Sequence, residues 1–256
     1  MSKSKDFHKL IFVIIYVLCL FLIGSLFTLL FSLIVAKARG LDFSHVMSAL
    51  SSDKNYTPSL AEIDASYTAQ GYGNAMTYLI AFVCAIIFLR PDLKTDLFSF
   101  KEEKKFLIPY TLIAMVVFTG LAFLLSYLIG LAVKESENQN TIVKILKTNA
   151  LVPMIISTVI FAPVVEELVY RKIVFYFARE RHIAIRYALS IILFTFPHII
   201  SSIGKFSTGD YFLMIIPYVL DAFMLAIIYH KGKFNIYTTM LCHIANNILA
   251  VILVFI

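Results

Sequence analysis

Residues 161–175 read FAPVVEELVYRKIVF. Two adjacent carboxylates, Glu166 and Glu167, stand inside a strongly apolar run, and Arg171 follows four residues after the second. On a helix, Glu167 and Arg171 sit one turn apart with the acid N-terminal, the favourable order for an ion pair. Glu166 points about 100° away from Glu167, so it has no such partner within its own segment. An unpaired buried carboxylate is suited to taking a proton from water or to holding a cation. His198, Asp221, His243 and the Asn246/Asn247 pair also stand in apolar stretches. Ionisable groups at such positions are costly, and the cost argues for function. The bland reading is a packing ion pair plus satisfied histidines.

Depth separates these readings. Glu166 lies 13 residues from Arg179 and His198 lies 12 from Arg186, roughly 20 and 18 Å at about 1.5 Å per residue. His243 and Asn247 lie 10 and 14 residues from Lys233, roughly 15 and 21 Å by the same rise. Three segments therefore place their polar groups at similar depth. His243 and Asn247 are also spaced i,i+4 and share a helix face. Independent packing residues have no reason to align in this way.

Two chemistries use this set. Glu166, His198 and His243 make a workable zinc set with an open fourth position. Alternatively, without metal, Glu166 takes a proton from water and His198 orients it. His243 and Asn247 then donate hydrogen bonds to the developing oxyanion. Asn suits the donor role better than the ligand role, and no HExxH helix occurs. Hydrolysis without a cofactor is the expectation, with zinc as the alternative.

The elements that must position these groups are membrane helices. The chain is 60% hydrophobic and only 15% charged, with a mean hydropathy of +0.87. That leaves too little polar surface for a soluble domain of 256 residues. Apolar runs predict seven helices, at 10–36, 73–89, 106–133, 151–178, 186–203, 211–229 and 234–256. A short helix over Thr141–Asn149 is a candidate eighth element. Residues 40–72, with SSDKNYTPS and AQGYGN, read as the longest polar loop, and 89–105 reads as a charged inner loop. The first run is too long for a signal peptide and reads as a retained span.

The net charge of +6 does not point to nucleic acid, because the cations fall in short loops between apolar runs. With the N-terminus inside, the inner segments hold 15 of the 22 Lys/Arg residues and the outer loops 7. This bias places the N-terminus in the cytoplasm, and the expected location is the bacterial cell membrane, in a multi-pass protein. Cys19, Cys84 and Cys242 have neither zinc-finger nor redox spacing and read as free thiols. His8, His45, His182 and His230 read as surface residues. The expected fold is an all-α polytopic transmembrane bundle of about seven to eight spans. Residues 1–140 form N-terminal helices and polar loops, and 141–256 form a catalytic membrane core of four motif-bearing helices.

EELVYR (Glu166–Arg171), FTFPH (Phe194–His198) and HIANN (His243–Asn247) follow one another in that order. This set resembles the three motifs EExxxR, FxxxH and HxxxN of the CPBP family, the CAAX-protease and bacteriocin-processing (Abi) intramembrane proteases. The resemblance covers about residues 150–250. It implies an α-helical membrane endopeptidase acting on a peptide or membrane-protein substrate. In that scheme Glu166 and His198 activate water, and His243 and Asn247 form the oxyanion hole. Glu167, Arg171 and Phe194 support the site. The family long carried a metal-dependent label, whereas its eukaryotic CAAX-processing relatives are viewed as metal-free. Tyr170 and Lys172 depart from the frequent EExxFRG pattern, and Ala222 and Ala226 stand where glycines are common. A non-catalytic immunity or scaffold protein of the same fold is the alternative. An ion-coupled transporter using Glu166, His198 and Asp221 ranks below both, since no inverted repeat is visible.

Overall fold

The computed structural model describes residues 3–51, 55–131, 137–203 and 207–256. Lys54, Lys134 and Lys205, three of the seven outer cations, lie outside the described residues. Among the described residues the chain is mostly helical, with no strand. Helix α1 (Lys3–Leu18) passes through a π-helical turn, Cys19–Ile23, into α2 (Gly24–Arg39). Gly40, at φ +65°, ends α2 in a left-handed cap. Helices α3 (Phe43–Ser51), α4 (Leu60–Phe88), α5 (Arg90–Glu102), α6 (Lys104–Gly130) and α7 (Glu137–Ile145) follow. The motif-bearing segment comprises α8 (Leu151–Ile156), α9 (Ala162–Glu167) and α10 (Val174–Phe177). Then come α11 (Ile183–Ile199), α12 (Thr208–Lys231) and α13 (Ile236–Leu253). Among the described residues, seven helices or helix runs are long and apolar enough to cross a membrane. The protein is an all-α polytopic bundle, and its outer faces carry large apolar side chains such as Val116 and Ile113.

The expected polar loop is mostly helix. Helix α4 begins at Leu60, thirteen residues before the expected start at 73. A capping box sets that start: Ser59 Oγ accepts from Glu62 N, and Glu62 Oε2 accepts from Ser59 N at 2.7 Å. AQGYGN is therefore helix interior, not a turn. Its glycines serve close packing: a Cβ on Gly73 would lie 2.6 Å from Thr28 Oγ1, and one on Gly71 2.5 Å from Ile145 Cγ2. Gly24 and Thr28 on α2 face Gly73 and Thr77 on α4, a small-residue crossing that brings the two helices together.

The charged segment 89–105 also folds, as α5, with Pro91 in its first turn. Salt bridges staple it to the bundle, Lys9 to Asp92 at 2.7 Å and Lys172 to Asp96 at 2.6 Å. Asp96 Oδ2 also accepts from Ile236 N at the start of α13. The departure from the family pattern at Lys172 thus has a partner in α5. The expected short helix over Thr141–Asn149 lies earlier, at Glu137–Ile145. Between α12 and α13, Lys233 and Phe234 both adopt positive φ, at 57° and 56°. Ring contacts with Phe175, Tyr229 and His230 hold Phe234 there.

Of the four histidines read as surface residues, His8, His45 and His182 are exposed and His230 is half-buried. His182 caps α11, its Nδ1 accepting from Ala184 N. His45 lies 3.1 Å from Glu62 Oε1, and His230 bonds the Tyr187 hydroxyl at 2.9 Å.

Candidate functional site

The EELVYR segment is not a regular α-helix. Two π-helical stretches, Ser157–Phe161 and Leu168–Ile173, bracket the six-residue α-helix that carries Glu166 and Glu167. A π turn takes more residues per revolution and shifts the register of the next turns, and such turns recur at functional sites. Here both carboxylates face the bundle interior, with Glu166 at 4% exposure and Glu167 at 0%.

The two acids take different partners. Glu167 Oε1 lies 3.2 Å from Arg171 Nη1 and 2.9 Å from His243 Nδ1. The arginine contact is a charge pair without hydrogen-bond alignment, since Nη1 makes no hydrogen bond among the described residues. Arg171 is fully buried. Its Nη2 donates to Ala222 O at 3.2 Å, and its guanidinium lies 4.5 Å from the centre of the Phe194 ring. The buried alanines Ala222 and Ala226 let α12 approach closely enough for that bond.

Glu166 Oε1 accepts from the Tyr78 hydroxyl at 2.9 Å. Its Oε2 faces His243 Nε2 at 4.0 Å. The expected partners from two other spans are thus joined by one from α4. His198 Nδ1 donates to Phe194 O at 2.8 Å, which leaves Nε2 as an acceptor. Its ring stacks on Phe194, with centroids 4.8 Å apart. Asn247 Nδ2 donates to Thr158 O in the first π turn at 2.8 Å. Tyr170 bonds the Tyr16 hydroxyl at 3.1 Å and packs edge-on against Phe194.

Glu166, His198, Asp221, His243, Asn246 and Asn247 line one cavity of about 580 Å³, a size typical of a ligand site. Phe194 also lines this cavity, and Glu167 and Arg171 form the layer behind it. His243 links the layers, with Nδ1 on Glu167 and Nε2 toward Glu166. As for the zinc alternative, no three His, Cys, Asp or Glu side chains among the described residues converge at metal-ligand spacing.

Sequence reasoning missed Tyr78, Asn74 and Tyr16, all in the first 140 residues. Asn74 Oδ1 accepts from Ser157 Oγ at 3.0 Å and lines the same cavity. A signal for two of them was present: Gln70, Asn74 and Tyr78 recur at intervals of four, which aligns them on one helix face.

Comparison with known proteins places the segment rather than the whole chain. An uncharacterized protein of Mycoplasma capricolum subsp. capricolum is 31% identical over 166 residues, which cover 61% of this chain and 46% of that protein. The chain thus spans about half the length of this relative. No solved structure matches. Residues 148–249 match the family model described as type II CAAX prenyl endopeptidase Rce1-like. This segment holds all three motifs, so the match falls on the residues that carry the resemblance to the CPBP/CAAX-protease family.

Proposed function

We propose that this protein is an integral membrane endopeptidase that hydrolyses a peptide or membrane-protein substrate with Glu166 as general base. The observation that carries the reading is the meeting of Glu166, His198, His243 and Asn247 on one cavity, with Phe194 in its wall and Glu167 and Arg171 buried behind it. Tyr78 occupies Glu166 Oε1, so Oε2 is the oxygen that takes the proton. His198 Nε2 is a second acceptor, and one water can donate to both. With its Nδ1–H bonded to Glu167, His243 donates through Nε2 only as an imidazolium, and the Glu167 carboxylate stands beside it. Asn247 gives one N–H to Thr158 O and offers the other. These two donors suit the oxyanion of a tetrahedral intermediate. Glu166, once protonated, then returns the proton to the leaving amine.

No step in this scheme passes through a metal. Zinc quantified in purified protein at one equivalent, and lost on His243→Ala, would replace it with the metal alternative. Catalysis is assigned to 141–256, with α4 of the first 140 residues lining the site. The N-terminus is assigned to the cytoplasm of a bacterial cell. The test is a mass-spectrometric comparison of membrane peptides from cells carrying wild-type, Glu166→Gln or His198→Ala protein. Cleavage products present only with wild type are expected. Full function in both variants would favour a non-catalytic binding protein.

A further inference from the structure

A second cavity of about 650 Å³ lies between α2, α3, α4 and α7. It meets the first at five shared residues, Asn74, Tyr78, Asn138, Glu166 and His198. The Glu166–His198 region therefore lies at a junction with space on both sides. A ligand that fills both lobes extends away from its reacting bond in two directions, as a linear polymer does.

Both lobes mix apolar and polar side chains. The first is faced by Phe118, Phe123 and Leu225 together with Asn246 and Asn247, and Leu29 and Leu50 also face the second. The second carries uncharged polar groups: Ser25, Thr28, Gln70, Asn74, Thr77 and Asn138. Neither is lined by Lys or Arg among the described residues. A terminal carboxylate in the second lobe would find no Lys or Arg counter-charge, which points to a chain that does not end there.

The spacing along α4 fits an extended main chain. Gln70, Asn74 and Tyr78 are each four residues apart, about 6 Å along the helix axis. Two residues of an extended chain span about 6.6–7.2 Å. Successive side chains of α4 can thus meet every second main-chain unit of a strand laid beside it. Gln70 offers both a donor and an acceptor. Asn74 Oδ1 is taken by Ser157, so its N–H₂ is the end that faces a ligand. Tyr78 closes the row at Glu166.

We infer that the cavity between α2, α3, α4 and α7 is a subsite for one side of the substrate polypeptide, an extended and uncharged polar segment hydrogen-bonded along Gln70 and Asn74. This inference rests on the endopeptidase reading, and its test separates the two. The probe is an uncharged peptide in which a Ser/Thr/Gly block adjoins a Leu/Ala block. It carries a benzophenone in the polar block and is presented to Glu166→Gln protein in detergent micelles. Crosslinks mapped by mass spectrometry are expected on α4 near Gln70 and on α2 near Ser25 and Thr28.

Two variants then change the charge of the subsite. Gln70→Lys is expected to raise labelling by a peptide bearing Asp in the polar block about tenfold, and Gln70→Glu to do the same for Lys. Each variant stands as the test if the other fails to fold. Labelling elsewhere, no labelling, or an equal response to both charges overturns the subsite. Cleavage of the same peptides by wild type but not by Glu166→Gln reports on the endopeptidase reading separately. Correct labelling without cleavage would sink that reading and leave the subsite standing.

Discussion

Arg171→Met removes one partner of a charge pair whose side chains are both fully buried. Breaking such a pair leaves a carboxylate in a low-dielectric interior and costs about 3–5 kcal/mol. Glu167 keeps one cationic candidate, His243 at 2.9 Å, so the lower end, about 3 kcal/mol, is expected. For a chain of this size about 2–4 °C of melting temperature is lost per kcal/mol, so the midpoint should fall by about 6–12 °C. The assay is thermal unfolding of purified protein in a fixed detergent, followed by intrinsic tyrosine fluorescence or light scattering. The companion variant Glu167→Gln/Arg171→Met removes both charges and keeps a hydrogen-bonding group beside His243. Because no bare carboxylate remains, it should be more stable than Arg171→Met alone. A shift below about 2 °C for Arg171→Met would show that water reaches Glu167 and that the pair is not buried as described. Additive losses in the double variant would refute the coupling itself.

Other perturbations test the neighbouring contacts. Tyr78→Phe deletes one hydrogen bond to a carboxylate, a loss of about 1.5–3 kcal/mol. If that bond holds Glu166 in its working position, kcat/KM should fall about 10- to 150-fold with little change in melting temperature. An unchanged rate would remove Tyr78 from the site. Gly73→Ala forces a Cβ to within 2.9 Å of the Thr28 backbone, and about 1–3 kcal/mol of destabilisation is expected from thermal melts. Gly120→Ala is its control, since a Cβ there meets nothing within 4 Å, and it should stabilise α6 by up to about 1 kcal/mol. Equal effects at the two glycines would contradict the α2–α4 crossing.

Much of the site was legible because its residues are chemically out of place. Glu166, Glu167, Arg171, His198, His243 and Asn247 interrupt apolar runs, and matching depth linked Glu166, His198, His243 and Asn247 before any fold was known. The i,i+4 spacing of Glu167 and Arg171 anticipated their 3.2 Å contact. It did not anticipate His243 on the same carboxylate oxygen, because that neighbour arrives from 76 residues away. Tyr78 escaped notice for a different reason. Tyrosine is unremarkable in an apolar helix, and only its hydroxyl bond to Glu166 marks it out.

By itself, the sequence determined the class of the protein and the identity of its unusual groups. Hydrophobic runs of bilayer length leave the backbone no option but to hydrogen-bond within helices, and charges in those runs stand out against that background. Tertiary structure decided the rest. Whether AQGYGN turns or continues depends on what its glycines approach, and Thr28 and Ile145 lie far off in sequence. Residues 90–102 become helix because α5 docks through Asp92 and Asp96 on Lys9 and Lys172. The inward aim of both glutamates depends on two π turns that helix propensity does not encode. The division of labour between them was decided last, when Tyr78 came to Glu166 and His243 to Glu167, since a carboxylate's role is set by the groups packing brings within bonding distance.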